Sequence, residues 1–150
     1  DVLEPEVDKY TKNFIEPKAG ADVISIGYPG IGMTFEQPTI TQGIISKVFD
    51  DKVGIFLTTA AINSGNSGGP IFNLNGKLVG VSFATLDKKK FLEEEGQIPT
   101  DMGYAIKSNM IKKVFEHKKG VPVKSAKYDK STLYEKMLPS IALVVVKLDE

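Results

Sequence analysis

The sequence predicts an all-β domain, a six-stranded antiparallel β-barrel followed by a C-terminal helix. Three observations predict it. Short β-rich segments recur through the middle of the chain, and the turns between them carry Pro-Gly and Asn-Gly punctuation. The apolar period changes to that of a helix only after Lys107.

Residues 1–19 are charged and weakly patterned, with Pro5 and Pro17, and read as a strand remnant plus connector. The barrel is expected over residues 20–106. Its first strand, DVISIGYP from Asp22 to Pro29, stops at a Pro-Gly pair that opens a glycine-rich loop through Met33. TITQGIISKVF, from Thr39 to Phe49, alternates and leads through Asp50-Asp51-Lys52 into VGIFLTT, from Val53 to Thr59, as a hairpin would. PIFNL and KLVGVSFATL flank Asn75-Gly76, the strongest short hairpin signal. A long loop from Asp87 to Asp101 precedes the last strand, MGYAI, from Met102 to Ile106.

In the segment 107–120, Met110, Ile111, Val114 and Phe115 recur at helical spacing. Ser108 or Asn109 can cap the start and Gly120 lies beyond the end, so a helix is expected from about Asn109 to Lys118. The tail, 121–150, holds a short helix around Ser131 to Met137 and a strand candidate, SIALVVVKL.

A chain of 150 residues suffices for one domain with a core, or for half of a two-lobed unit. Nineteen basic residues balance nineteen acidic ones, which removes any global charge argument for nucleic acid or a membrane surface. There is no cysteine, which excludes disulfides, thiol nucleophiles and Cys-based zinc sites. With one histidine, His117, and no carboxylate cluster at loop spacing, no metal site and no cofactor are expected. No apolar run approaches the roughly 18 residues of a membrane span. The missing cysteines favour an intracellular or organellar, disulfide-free setting, with peroxisome, mitochondrion and plastid all left open. The chain begins at Asp1 and reads as an excerpt; its last residues match neither the ER-retention nor the peroxisomal tripeptide address.

Ser67 carries the chemistry. It stands in Gly65-Asn66-Ser67-Gly68-Gly69-Pro70, where glycine, costly to order, crowds one hydroxyl. The string fits G-x-S-x-G, yet the strand–turn–helix elbow of that motif needs a helix after the serine. Here Pro70 and another strand follow, so the elbow reading fails. The alternative is a serine on a loop between two barrel strands, with Gly65 and Ser67 donating N–H groups to a developing oxyanion. Gly68 and Gly69 would then admit substrate backbone closely, and Pro70 would set the exit into the next strand. The bland reading is a glycine loop whose serine bonds locally.

The whole string, TTAAINSGNSGGPIFNLNGKLVGVSFA, resembles the segment around the active serine of trypsin-fold proteases of the HtrA/Deg type. GADVISIGYPGIGMTFEQPTITQGIIS is similar to the first two strands of that family's C-terminal barrel, and MGYAIKSNMIKKVF to its last strand and terminal helix. The resemblance covers Gly20 to Phe115. It implies a serine endopeptidase lobe, half of a two-barrel fold, with Ser67 as nucleophile and Gly65, Asn66 and Ser67 as the oxyanion loop. It implies that Ser82, Phe83 and Ala84 pair with substrate backbone. Ala61 would lie at the base of the pocket for the residue before the scissile bond, beside Ile62, with Ala84 and Tyr104 as walls. No carboxylate stands at that floor, so small or aliphatic side chains are expected there; core packing is the competing reading for Ala61 and Ile62.

The resemblance also implies partners. The triad runs His, Asp, Ser along the chain, and the family carries the first two on the preceding barrel, so this piece is expected to be nearly inactive alone. His117, at the end of the expected helix, reads as solvated or helix-capping. Asp1, in DVLEPEV, is a weak echo of the family's aspartate strand and is not read as that residue. The expected partners are a polypeptide substrate and the N-terminal barrel, with homo-oligomers left open and neither nucleic acid nor membrane among them. The tail is too short for a PDZ domain and resembles that of PDZ-less peroxisomal processing proteases. The competing function is an inactive pseudoprotease lobe that binds peptides; the intact oxyanion glycines favour the enzyme.

Overall fold

Six strands close into an antiparallel barrel in the computed structural model of the chain, which describes residues 14–28, 38–63, 65–83, 102–115 and 126–142. The strands are β1 (Asp22–Gly27), β2 (Thr39–Val48), β3 (Ile55–Thr58), β4 (Pro70–Asn73), β5 (Leu78–Phe83) and β6 (Gly103–Lys107). Around the barrel they run β1-β2-β3-β6-β5-β4, with β4 returning to β1. All six expected strands are present. Closure gives every one of the six strands a neighbour on both sides.

Alternation along the strands builds two apolar layers. Val23, Ile45, Phe56, Ala60, Ile71, Val79 and Ala105 fill the barrel interior. The other face of β1 and β4 is apolar too: Ile24, Ile26 and Phe72 join Leu78 in a second cluster outside the barrel. That is why Val23, Ile24 and Ile26 are all apolar without alternating, since a strand buried on both faces loses its polar alternation.

The turns follow their side chains. Asp50 Oδ1 accepts the N–H groups of Lys52 and Val53, and Gly54 at φ +70° lets the chain re-enter as β3. Asn73 Oδ1 accepts from Asn75 and Lys77, with Gly76 at φ +73°, closing the β4–β5 hairpin at the expected Asn-Gly. Opposite the first turn, the buried Lys107 ammonium reaches Asp51 at 2.8 Å, a carboxylate that is itself 73% exposed. A buried amine needs such a partner.

Gly43 is required by a close crossing. A Cβ there would stand 2.2 Å from Ala60 N and 2.6 Å from the Thr59 carbonyl carbon. Neither atom can withdraw, because Thr59 N–H donates to Ile44 O and Ala60 N–H to Thr58 Oγ1. Gly43→Ala should therefore destabilise the fold by about 1–3 kcal/mol or more. A thermal unfolding midpoint equal to that of the parent protein would refute this packing.

Helix α1 (Ser108–Phe115) begins directly after β6, where Ser108 Oγ donates to Ile15 O. A second helix, α2 (Lys130–Met137), runs into a 3₁₀ turn over Leu138–Ser140. Its buried Leu133 and Met137 complete the outer cluster on Ile24, Ile26, Phe72 and Leu78. Tyr128 N–H donates to Leu74 O, and the Tyr134 hydroxyl to Pro38 O. On the same side Phe14 forms a parallel bridge with Leu78, and Ile15 N–H donates to Leu78 O. Of the expected strand SIALVVVKL, Ser140 belongs to the 3₁₀ turn and residues 143–150 lie outside the described residues. Residues 116–120, including His117, and Asp1 also lie outside them.

Asp129 caps α2. Its Oδ2 accepts from Thr132 Oγ1 at 2.6 Å and its Oδ1 from Thr132 N–H at 3.0 Å. The bond from the Thr132 hydroxyl, then that from its N–H, hold the carboxyl below the ordinary aspartate range. A depressed folded value stabilises the helix above the unfolded pKa, and this stabilisation is lost as pH falls through the lower folded value. The Thr132 amide resonance should thus titrate with a midpoint below that of an ordinary aspartate. A midpoint in the ordinary range would remove the cap.

Candidate active site

The Ser67 turn lies at one end of the barrel, between the Thr58–Asn63 lead and β4. Three hydrogen bonds set its shape. Asn66 N–H donates to Asn63 O at 2.9 Å, Gly69 N–H to Asn66 O at 2.9 Å, and Gly68 N–H to Ser82 O at 2.8 Å. Ser82 answers by donating its own N–H to Gly69 O at 2.9 Å, so β5 holds the turn from both sides. Gly65 at φ +96° and Gly68 at φ +85° adopt left-handed conformations that disfavour a side chain. Ser67 and both of these glycines are exposed, whereas Asn66, between Gly65 and Ser67, is buried.

The two glycines after the serine have different physical roles. A Cβ on Gly68 would meet nothing within 4 Å, so its conformation alone requires glycine. Gly69 is needed for proximity: a Cβ there would come 2.7 Å from Ile26 O and 2.8 Å from Asn66 O. The backbone admitted closely at Gly69 is thus that of β1 and of the turn itself.

The lead segment is tied down by threonines. Thr41 Oγ1 donates to Ala61 O at 3.0 Å, Thr58 Oγ1 donates to Ile44 O, and Thr59 Oγ1 accepts Ile44 N–H. Ala61 is exposed. Ile62 is half-buried, packs against the interior cluster, and covers Gly103, where a Cβ would meet its Cγ1 at 2.3 Å. Ala61 and Ile62 therefore divide: one faces solvent and the other roofs the start of β6. Tyr104 is buried and its ring lies 5.9 Å from that of the half-buried Phe83. Ser82 is buried against the Ser67 turn; Ala84 lies outside the described residues, as do residues 30–37 and 87–101, where loops are expected from the sequence.

The structure thus brings Gly65, Asn66, Ser67 and Ser82 together, with Phe83 and Tyr104 adjacent to one another on β5 and β6. Sequence reasoning missed Gly27, Thr41 and Gly103. Gly27 abuts Asn66, and its signal was a glycine ending a β-rich run. Among the described residues no histidine is present, and no group of three or more His, Asp or Glu comes together. No helix among them is long and apolar enough to cross a membrane.

Comparisons with known proteins agree with this geometry. The trypsin-like peptidase domain family matches residues 6–81, a span that contains the Ser67 turn. The serine protease Do-like HtrA of Bacillus subtilis is 36% identical over 130 residues, covering 77% of this chain and 27% of that protein. The serine endoprotease DegS of Escherichia coli is 36% identical over 109 residues, covering 67% and 28%. The crystal structure of the serine endoprotease from Yersinia pestis superposes with a TM-score of 0.51 at 33% identity, covering 68% of this chain and 32% of that one. The chain therefore spans about a third or less of the length of these relatives. Barrel, serine turn and sequence similarity agree: the chain belongs to the trypsin-like peptidase family, on its HtrA/Deg side.

Proposed function

We propose that this chain is the nucleophile-bearing lobe of a serine endopeptidase, and that Ser67 attacks the scissile peptide carbonyl. The observation that carries the reading is the turn itself. An exposed serine is presented on a backbone fixed by Asn63, Asn66 and Ser82, with left-handed glycines at 65 and 68. Ser67 Oγ bonds to the carbonyl carbon while its proton passes to a histidine base. The carbonyl oxygen becomes negative and is stabilised by the N–H groups of Gly65 and Ser67. Collapse expels the amine, which takes the proton from histidine, and water then hydrolyses the acyl-enzyme by the same steps in reverse.

The histidine and its orienting aspartate belong, in this reading, to a preceding barrel that docks against this one. Residues 20–106 form the lobe, followed by a terminal segment, 107–120, that contains α1, and a tail, 121–150. Substrate backbone lies along Ser82 and Phe83 towards Ala84. Ala61 at the base and Tyr104 and Ala84 as walls would offer a neutral surface to the residue before the scissile bond, which favours small or aliphatic side chains.

The test is active-site labelling of the full-length protein with a fluorophosphonate. The adduct should map to Ser67 and vanish in Ser67→Ala. A full-length protein that is folded yet unlabelled would overturn the enzyme reading in favour of a peptide-binding lobe.

A further inference from the structure

We propose that the Ser82 hydroxyl and Gly27 are positioning elements that aim the Ser67 N–H of the oxyanion site, acting through the Asn66–Ser67 peptide; this rests on the reading of Ser67 as nucleophile. Asn66 differs from its neighbours. Gly65 and Ser67 are exposed, but Asn66 is 2% exposed, turned under the loop. Its carbonyl takes two bonds, from Gly69 N–H at 2.9 Å and from the buried Ser82 hydroxyl. Each of the two carbonyls near Ser82 Oγ already accepts one N–H, but Gly69 O lies farther from the hydroxyl, 3.1 Å against 2.5 Å to Asn66 O, so the one hydroxyl proton goes to Asn66.

That carbonyl belongs to the same peptide unit as the Ser67 N–H. In a trans peptide the C=O and the following N–H point to opposite sides. Drawing Asn66 C=O inward to Ser82 and Gly69 therefore turns Ser67 N–H outward, to the face where its side chain is exposed. A donor used in a transition state works only if its direction is set beforehand.

Gly27 sets the other coordinate. A Cβ there would stand 2.7 Å from Asn66 Oδ1, 3.1 Å from its Cγ and 3.2 Å from its Cα, so the end of β1 is a slot shaped for this residue. Asn66 Oδ1, buried there, has no hydrogen-bond donor among the described residues. An unsatisfied buried amide opposes stability, and a residue kept for packing alone would be apolar at this position. What the side chain does have is the slot at Gly27, whose close walls fix where Asn66 and its carbonyl sit.

The experiment compares Ser82→Ala and Gly27→Ala with the parent full-length protein, using a peptide substrate, a peptide aldehyde and the matching product peptide. The aldehyde forms a hemiacetal with Ser67 Oγ and places its oxygen in the oxyanion site; the product peptide forms no such bond. Ser82→Ala should lower kcat by about 10- to 100-fold, less than the loss of a whole oxyanion donor. KM should stay within about threefold, and aldehyde affinity should fall by the same factor as kcat while product affinity holds. Gly27→Ala, which pushes Asn66 from its slot without touching Ser82, should give the same split, and stands alone if Ser82→Ala does not fold. Parent-like kcat in a folded variant, or equal losses for aldehyde and product, would overturn the proposal. Ser67→Ala separates the two readings. If it is inactive while Ser82→Ala and Gly27→Ala turn over normally, only the positioning role fails; if Ser67→Ala itself turns over normally, the nucleophile reading fails.

Discussion

Ser67→Ala in the full-length protein should lower kcat by on the order of 10⁶, leaving roughly 10³–10⁴ over water from the oxyanion donors and substrate binding. The size of the loss follows from non-additivity: without the hydroxyl, the base has nothing to activate. Because the Ser67 side chain is exposed, its removal should change stability by no more than about 0.5 kcal/mol. The measurement pairs steady-state kinetics with a thermal melt. A large kinetic loss with an unchanged melt assigns the serine to chemistry. A loss of less than about tenfold would mean that another group attacks.

The largest effect on stability is expected at Phe56. Its side chain is 0% exposed and sits in the interior cluster with Val23, Ile45, Ile71, Val79 and Ala105. The ring lies so close to Gly80 that a Cβ there would fall 2.6 Å from its Cε1. Phe56→Ala therefore removes a ring from a space that rigid ladders on both flanks prevent from collapsing. A cost of about 3–5 kcal/mol is expected, a large part of the roughly 5–15 kcal/mol that holds a typical domain. Chemical denaturation should show a lower midpoint with an unchanged slope. A cost under about 1 kcal/mol would mean that Phe56 does not lie at the centre of the barrel.

The strands were legible because their punctuation is chemical. Asn75-Gly76, Asp50 and the Pro-Gly after Tyr28 announce turns that only certain side chains and dihedrals allow, and the segments between them alternate or run apolar. The Ser67 turn was legible for the same reason, since left-handed positions demand glycine at 65 and 68. What was hidden depends on distant pieces meeting. Nothing local to Asn66 says that its side chain turns inward, because the slot belongs to Gly27 on another strand. Nor does KSTLYEKM announce its docking site: two apolar anchors, Leu133 and Met137, mark a helix face without saying what it covers. Gly68 and Gly69 read as admitting substrate backbone; what Gly69 meets closely among the described residues is the protein's own β1 and turn, and a Cβ on Gly68 would meet nothing within 4 Å.

The outer cluster has a practical consequence for cutting the gene. A truncation ending after α1 would look safe from the strand list, since all six strands would remain. It would nonetheless strip Leu133 and Met137 from Ile24, Ile26 and Phe72, leaving an apolar flank of the barrel uncovered. Any stretch expressed to keep this flank covered therefore has to include α2.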